Sequence, residues 1–297
     1  MIFDIPLHIP FQVLLGQITI GLVNGGFYAL LSLGLAVIFG LLNMINFAHG
    51  ALYMLGAFTG YIALQRFGIS YWWSLLLVPL LVASFGMLVE RLFLRRLSGL
   101  DHLYGLLFTF GLALALEGVF RDLYGSVGMP YPTPPALRGL VDLGFTRLPL
   151  YRLWVVGAAL VVCFAVWLTV ERTRLGSYLR AGTENPRLVQ ALGINVPMMV
   201  TLTYGLGAGL AGLVGVLAAP VYQVQPMMGS NLLIVCFAVV VIGGLGSMVG
   251  AIVTGLALGV IEGVAKTFYP EISTTTVFII MALVLLLRPA GLFGREA

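Results

Sequence analysis

The chain has very few charged side chains. Only 9% of its 297 residues are Asp, Glu, Lys or Arg, while 60% are hydrophobic. Soluble domains carry about a quarter charged residues, so this chain lacks the side chains needed to cover a surface in water. Its apolar runs are long and continuous, unlike the short alternating segments of a barrel. The composition therefore predicts an integral membrane protein of the all-α class, a polytopic transmembrane helical bundle.

Reactive side chains are also scarce, which excludes several classes of protein. The two cysteines, Cys163 and Cys236, lie in apolar runs and predict neither a disulfide framework nor a metal motif. The single lysine is Lys266, and the sequence contains no G-x-x-x-x-G-K-[ST] phosphate loop. No nucleophile–base pair is apparent either. We therefore predict no enzymatic activity and no cofactor, and any ATP hydrolysis must occur on another polypeptide.

Long hydrophobic runs divide the chain into spans. About 20 apolar residues are needed to cross a bilayer, and on this basis residues 1–297 form a single transmembrane domain of eight or nine spans, including interrupted helices. The glycine-rich segment 243–250 predicts a tight turn within the membrane. The candidate spans are 11–39, 47–66, 72–93, 104–121, 151–170, 199–219, 231–245, 249–267 and 274–288.

Arginine predicts the orientation. With nine spans, the arginine-containing segments 91–102 and 171–196 and the C-terminus fall on one side, which the positive-inside rule makes cytoplasmic. Residues 122–150 then form an external loop. The net charge of +4 is accounted for by residues flanking spans and does not indicate nucleic-acid binding. No basic residue precedes the first apolar stretch, so we expect the N-terminus to be retained rather than cleaved as a signal.

The segment GLLNMINFAHG, residues 40–50, places three polar residues inside an apolar region. Asn43, Asn46 and His49 recur in steps of three, and an unsatisfied polar group in lipid costs several kcal/mol. Gly40 and Gly50 bracket them, which favours an interrupted helix. Two interpretations stay open: these side chains line a translocation pathway, or they cap helix ends and hold two helices together.

A short helix is predicted inside the cytoplasmic segment 171–196. Asn185 suits its N-cap, Pro186 its first position and Gly193 its end. The helix is either a docking surface for another protein or an element lying at the lipid headgroups.

The motifs together resemble one family. LRAGTENPRLVQALGIN (179–195) is similar to the cytoplasmic coupling loop of permeases in branched-chain amino acid ABC importers of the LivH type. Residues 21–58, which contain NFAHG, resemble that family's N-terminal signature, and residues 238–263 its glycine-rich C-terminal signature, followed by RPAGLFG (288–294). The matching segments cover both ends and the middle of the chain, in the family's order.

The resemblance implies a function and partners. The chain would be a permease subunit in the inner membrane, paired with a second, identical or homologous permease, driven by two cytoplasmic ATP-binding subunits and supplied by an external solute-binding protein. ATPase coupling would fall on 184–193, and the pathway on polar residues of the N-terminal signature. The coupling residues are Glu184, Asn185, Pro186, Arg187, Gln190 and Gly193, and the pathway residues are Asn43, Asn46, His49, Tyr53 and Asn24.

Two pairs of oppositely charged residues are spaced four positions apart. Glu117 precedes Arg121, and Glu262 precedes Lys266, near the outer ends of predicted spans. The favoured interpretation is a structural ion pair in each case, and the alternative is that these intramembrane carboxylates are functional. The recurrence in both halves, with a shared glycine pattern in 49–58 and 249–258, suggests an internal repeat.

No charged residue falls at the predicted middle of a span, which favours a neutral or zwitterionic cargo and argues against an ion pump. Branched-chain or other hydrophobic amino acids are the expected cargo. Urea, short amides and aromatic acids stay open within the same transporter type, and an ion-coupled secondary transporter is the alternative from another class.

Overall fold

The structure, a computed structural model, describes residues 11–42, 44–97, 99–173, 176–178, 181–182 and 186–294. Within these ranges nine long helices coincide with the nine predicted spans, so the predicted helical bundle is confirmed. The helices are α1 (Phe11–Leu42), α2 (Ala48–Phe67), α3 (Tyr71–Val89), α4 (His102–Tyr124), α5 (Leu150–Arg172), the short α6 (Pro186–Ala191), α7 (Val196–Tyr222), α8 (Met228–Gly243), α9 (Met248–Phe268) and α10 (Ser273–Leu287). A π-helical turn, Glu90–Leu94, and a last helical turn, Arg95–Leu97, extend α3.

Six helices of the described chain, α1, α3, α4, α5, α7 and α9, are long and apolar enough to cross a membrane. The apolar helices α8 and α10 are shorter. At 16 residues, α8 rises about 24 Å, less than the hydrocarbon core of about 30 Å. Helices α1 and α7 are largely buried at the centre, whereas α3, α4 and α5 keep most of their apolar surface outward.

Glycines on α1 and α9 set the closest helix contact. The two helices run antiparallel, with Gly21 against Gly259 and Gly25 against Gly255. A Cβ added at Gly259 would lie 2.3 Å from the Cα of Gly25, closer than any side chain allows. Since lipid supplies no hydrophobic drive between helices, such close backbone packing is what holds them together.

Helix α7 packs closely against α3 through glycines, as α9 packs against α1. Gly205 and Gly209 of α7 pack against Met87 and Ala83, again in antiparallel orientation. Gly212 contacts both Val82 of α3 and Gly56 of α2. The central position of α7 therefore depends on a glycine at each helix it crosses.

The chain re-enters the bundle between α1 and α2. Residues 44–47 are non-helical, and His49, at the start of α2, lies beside Leu31. Helix α1 rises about 13 Å between Leu31 and Gly40 in its last turn, where Gly40 contacts Gly246. Helix α2 therefore begins well inside the bundle rather than at its inner surface.

A second re-entrant break separates α7 from α8. Helix α7 continues past Gly212 to Tyr222, residues 223–227 are non-helical, and α8 begins at Met228. The first turn of α8 returns to the interior, where a Cβ on Gly229 would lie 2.3 Å from the carbonyl oxygen of Gly50. The starts of α2 and α8 thus meet near the middle of the bundle, and the two helices run away from each other.

The two halves repeat this arrangement in inverted orientation. The unit α1–α2–α3 corresponds to α7–α8–α9: α1 packs on α9 as α7 packs on α3, and α4 packs on α2 as α10 packs on α8. The internal repeat predicted from the sequence is therefore present. Its register differs from the prediction, because residues 49–58 correspond to the start of α8 rather than to 249–258.

The loop that follows α4 contains the chain's short β-structure and contacts the second break. It contains a two-stranded hairpin, β1 (Leu140–Asp142) and β2 (Arg147–Pro149), and Met129 forms a β-bridge with Val224 in the second break. Trp72 and Trp154 stack edge to face at the adjacent helix ends, as aromatic residues do at a membrane–water boundary.

Candidate functional site

Asn46 holds the first break in place. Its Nδ2 donates to the hydroxyl of Tyr204 on α7 at 3.1 Å, and its Oδ1 accepts from the backbone N–H of Ala48 at 3.1 Å. The side chain is fully buried, at 0% exposure. Next to it, the backbone N–H of Phe47 donates to Thr109 on α4 at 3.2 Å. One amide thus caps α2 and ties it to the central helix.

His49 fixes the crossing of α1 and α2. Its Nε2 lies 2.9 Å from the carbonyl oxygen of Leu31, and because a carbonyl only accepts, Nε2 carries the proton. The ring is fully buried and fits the space left by Gly34, where a Cβ would lie 3.0 Å from it. Both Asn46 and His49 therefore have the geometry of braces, the second of the two interpretations, while Asn43 lies outside the described residues.

The other two predicted pathway residues, Tyr53 and Asn24, lie on α2 and α1 and contact α7. Tyr53 is buried on α2, and its backbone contacts Gly215 of α7. Asn24 is partly exposed, and its Oδ1 accepts from the hydroxyl of Tyr222 at 2.6 Å. Since Tyr222 is the last residue of α7 and is also exposed, Asn24 belongs to a polar opening beside the second break.

The predicted ion pair between Glu262 and Lys266 is confirmed. Lys266 Nζ lies 2.8 Å from Glu262 Oε1, and the hydroxyl of Tyr28 donates to Oε2 at 2.6 Å. Glu262 is buried, and Lys266 reaches the surface. The carboxylate therefore has a partner on each oxygen and links α9 to α1.

Replacing Lys266 should destabilise the protein, because the buried Glu262 carboxylate then lacks its cation. We expect Lys266→Met to lower the free energy of unfolding by about 3 kcal/mol, because it leaves a buried charge uncompensated. The double variant Glu262→Gln/Lys266→Met should recover most of that loss, as measured by the thermal midpoint of the detergent-purified protein. Equal midpoints for Lys266→Met and the double variant would contradict this account.

The predicted pair between Glu117 and Arg121 is wrong. Glu117 Oε2 instead accepts from Ser230 on α8 at 3.0 Å, its Oε1 has no partner, and Arg121 is exposed. Ser230 lies in the first turn of α8, next to the contact between Gly50 and Gly229. Glu117 therefore bonds to the first turn of α8 rather than to its neighbour on α4.

The predicted coupling segment is partly described. Glu184 and Asn185 lie outside the described residues, as do the side chains of Pro186 and Arg187. Residues Pro186–Ala191 form α6, which carries an exposed Gln190, and Gly193 ends it with φ at 83°. Leu188 and Leu192 are 59% and 73% exposed. An apolar pair on a short solvent-facing helix is an element that a partner can cover.

Several interior polar residues escaped the sequence reasoning. Tyr28 and Tyr222 donate to the side chains of Glu262 and Asn24, and the hydroxyl of Tyr204 accepts from Asn46. A tyrosine in an apolar run gives no signal of its own. Glu90, which accepts from Thr201, was detectable as an acid at the end of a hydrophobic run. Within the described residues no group of three His, Cys, Asp or Glu is placed to hold a metal ion.

The chain matches the family model described as branched-chain amino acid transport system / permease component over residues 17–287. The chain belongs to this family. The match spans both breaks and the helices around them. The permease is thus a multi-pass membrane protein, as its apolar helices require.

Individual relatives agree with the family model. The permease is 32% identical to the high-affinity branched-chain amino acid transport system permease protein BraD of Pseudomonas aeruginosa, covering 95% of this chain and 96% of the relative. It is 29% identical to the LivH permease protein of the corresponding system of Escherichia coli, with 96% and 97% covered. A ribose import permease protein, RbsC of Escherichia coli, is 28% identical over 43% of both chains. No solved structure matches.

Proposed function

We propose that this protein is the permease subunit of an ATP-driven importer for branched-chain or related hydrophobic amino acids. The observation that carries the proposal is the full-length match to a family of such permeases. The fold supports it, since two helices that begin inside the membrane and cross at Gly50 and Gly229 are typical of transport pathways. Asn46 and His49 brace the break, and Asn24 with Tyr222 lies at the outer opening.

The remaining components of the transporter are partners. A second permease completes the pathway, two cytoplasmic ATP-binding subunits supply the energy, and an external solute-binding protein delivers the cargo. With this assignment α6 and the C-terminus are cytoplasmic, in agreement with arginine at the inner ends of α3 and α5. Tyr222 and the hairpin then face the binding protein.

Helix α6 is placed to pass movement of an ATPase to the core. Only residues 192–195 separate it from α7, and that connection is short and hydrogen-bonded: Gly193 N–H donates to Gln190 at 2.9 Å and Ile194 N–H to Val189 at 3.3 Å. Asn195 then caps α7 through the N–H of Met198 at 3.1 Å. A force applied to α6 therefore reaches the helix that contacts α1, α2 and α3.

Docking on α6 can be tested by introducing negative charge at α6 and at the exposed Leu192 that follows it. We expect Leu192→Glu to abolish copurification of the coexpressed ATP-binding subunits and to reduce leucine uptake at least about tenfold, because burying an unpaired carboxylate opposes association. Arg187→Glu should act in the same direction. The measurement is the ATPase content of the affinity-purified complex.

The matched control is Val127→Glu, another exposed apolar residue, on the opposite side of the membrane. It should leave copurification unchanged. Retention of both ATPases by Leu192→Glu would exclude α6 as the docking element, and accumulation of leucine by the permease without any ATPase would exclude the importer itself.

A further inference from the structure

An acidic side chain lies incompletely paired inside the bundle. Glu117 is only 8% exposed; its Oε2 accepts one hydrogen bond, from Ser230, and its Oε1 has none. Buried polar atoms in proteins are almost always hydrogen-bonded, and an ionisable residue within a membrane span is a candidate functional residue. Glu117 therefore needs an explanation that helix packing does not supply.

The partner of Glu117 is the beginning of a broken helix. Ser230 lies in the first turn of α8, where the helix dipole favours negative charge. The backbone N–H groups of Met228 and Asn231 in this turn donate to the carbonyl oxygens of Gln225 and Met227. The residue after Ser230, Asn231, is exposed, and so are Met227 and Ile234. An amide exposed to lipid at this depth is costly, so this face of α8 meets a polar environment in the assembled transporter.

We propose that Glu117, Asn231 and the first turn of α8 bind the zwitterionic head group of an α-amino acid in transit. Glu117 Oε1 accepts hydrogen bonds from the cargo ammonium group, while the side-chain amide of Asn231 donates to the cargo carboxylate and the positive end of the α8 dipole stabilises its charge. Met227 and Ile234 provide apolar contacts for an aliphatic side chain. The site deepens the proposed function and rests on it, since it requires that the cargo be an amino acid.

Access to the site requires movement of α4, the helix that carries Glu117. This helix packs mainly on α2, is among the least buried of the bundle, and touches the first break through Thr109 and Phe47. Displacement of α4 from the crossing of α2 and α8 uncovers the free carboxylate oxygen. Alternation between covered and uncovered states is what a pathway residue must do.

The experiment uses the complete transporter in proteoliposomes, with the solute-binding protein and radiolabelled L-leucine. Glu117→Gln keeps the shape of the side chain and an acceptor for Ser230 but removes the charge. We expect it to lower leucine uptake about tenfold or more, the usual range for losing a charge-assisted hydrogen bond, without lowering the thermal midpoint. Asp122→Asn, an exposed acid on the same helix, should transport as the unaltered protein does.

Leucine uptake by Glu117→Gln at the unaltered level would overturn the site. If the Glu117→Gln protein cannot be produced, Asn231→Leu replaces it as the test, because residue 231 is exposed and tolerates an apolar side chain. Leucine uptake about tenfold lower than that of the unaltered transporter supports the site, and full uptake overturns it. Failure of the proposed function is distinguishable, because then the unaltered transporter itself would not take up leucine. Uptake of urea instead would point to a cargo that has no need of Glu117.

Discussion

Replacing Gly259 with leucine is expected to prevent the permease from folding. The Cβ alone would lie 2.3 Å from both the Cα and the backbone nitrogen of Gly25, and 2.5 Å from the carbonyl oxygen of Gly21. These are backbone atoms in the middle of α1, so no side-chain rotation relieves the overlap. Separating α1 from α9 would remove the longest helix contact of the bundle, and we expect a loss of more than about 4 kcal/mol.

The measurement is the yield of monodisperse protein after detergent extraction, followed by its thermal midpoint. Gly157→Leu is the control, because a Cβ at this exposed position on α5 meets no atom within 4 Å. It adds the same side chain to a membrane helix and should leave yield and midpoint unchanged. Normal yield of the Gly259 variant would mean that α1 and α9 do not pack through these glycines.

Asn46→Ala should give the second-largest effect among the predictions. The change leaves the Tyr204 hydroxyl and the Ala48 N–H buried without partners, and each such group costs about 1–3 kcal/mol. We expect unfolding free energy to fall by about 2–4 kcal/mol and leucine uptake to fall with it, since α2 would lose its cap and its link to α7. Thermal midpoint and uptake are measured on the same preparation.

Tyr204→Phe separates the two bonds of Asn46. It removes only the hydroxyl and should cost about 1 kcal/mol. In the Asn46→Ala background, Tyr204→Phe should lower the free energy of unfolding by less than it does alone, because the hydroxyl that it removes already lacks its partner. Strict additivity of the two changes would show that Asn46 and Tyr204 do not interact, and unimpaired uptake by Asn46→Ala would show that the break needs no brace.

Local patterns predicted the membrane class, the helices and one ion pair. Hydropathy decides whether a segment enters lipid, and that preference is a property of the segment itself. Glu262 and Lys266 lie one helical turn apart, so their contact follows from helix geometry alone. The glycine at the end of α6, Gly193, is a similarly local signal, whereas the predicted cap, Asn185, lies outside the described part of the chain.

The same reasoning failed for Glu117. Its spacing from Arg121 also fits a helical pair, but the competing partner, Ser230, comes from α8, more than a hundred residues later in the chain. A pattern in one helix contains no information about a donor on another. The internal repeat was recognised but aligned in the wrong register for a related reason, since glycines that look alike in sequence are distinguished only by the backbone each one contacts.

By itself the sequence determined that this protein is embedded in a membrane and that it is built from helices, because solvation and helix formation depend on a few neighbouring residues. Only the tertiary structure decided that Asn46 and His49 face inward as braces, that two broken helices start at one point, and that Glu117 lies there with a free oxygen. Those outcomes depend on distant segments approaching within hydrogen-bonding or van der Waals distance, and the physical reason is that such contacts are properties of pairs of helices rather than of any one of them.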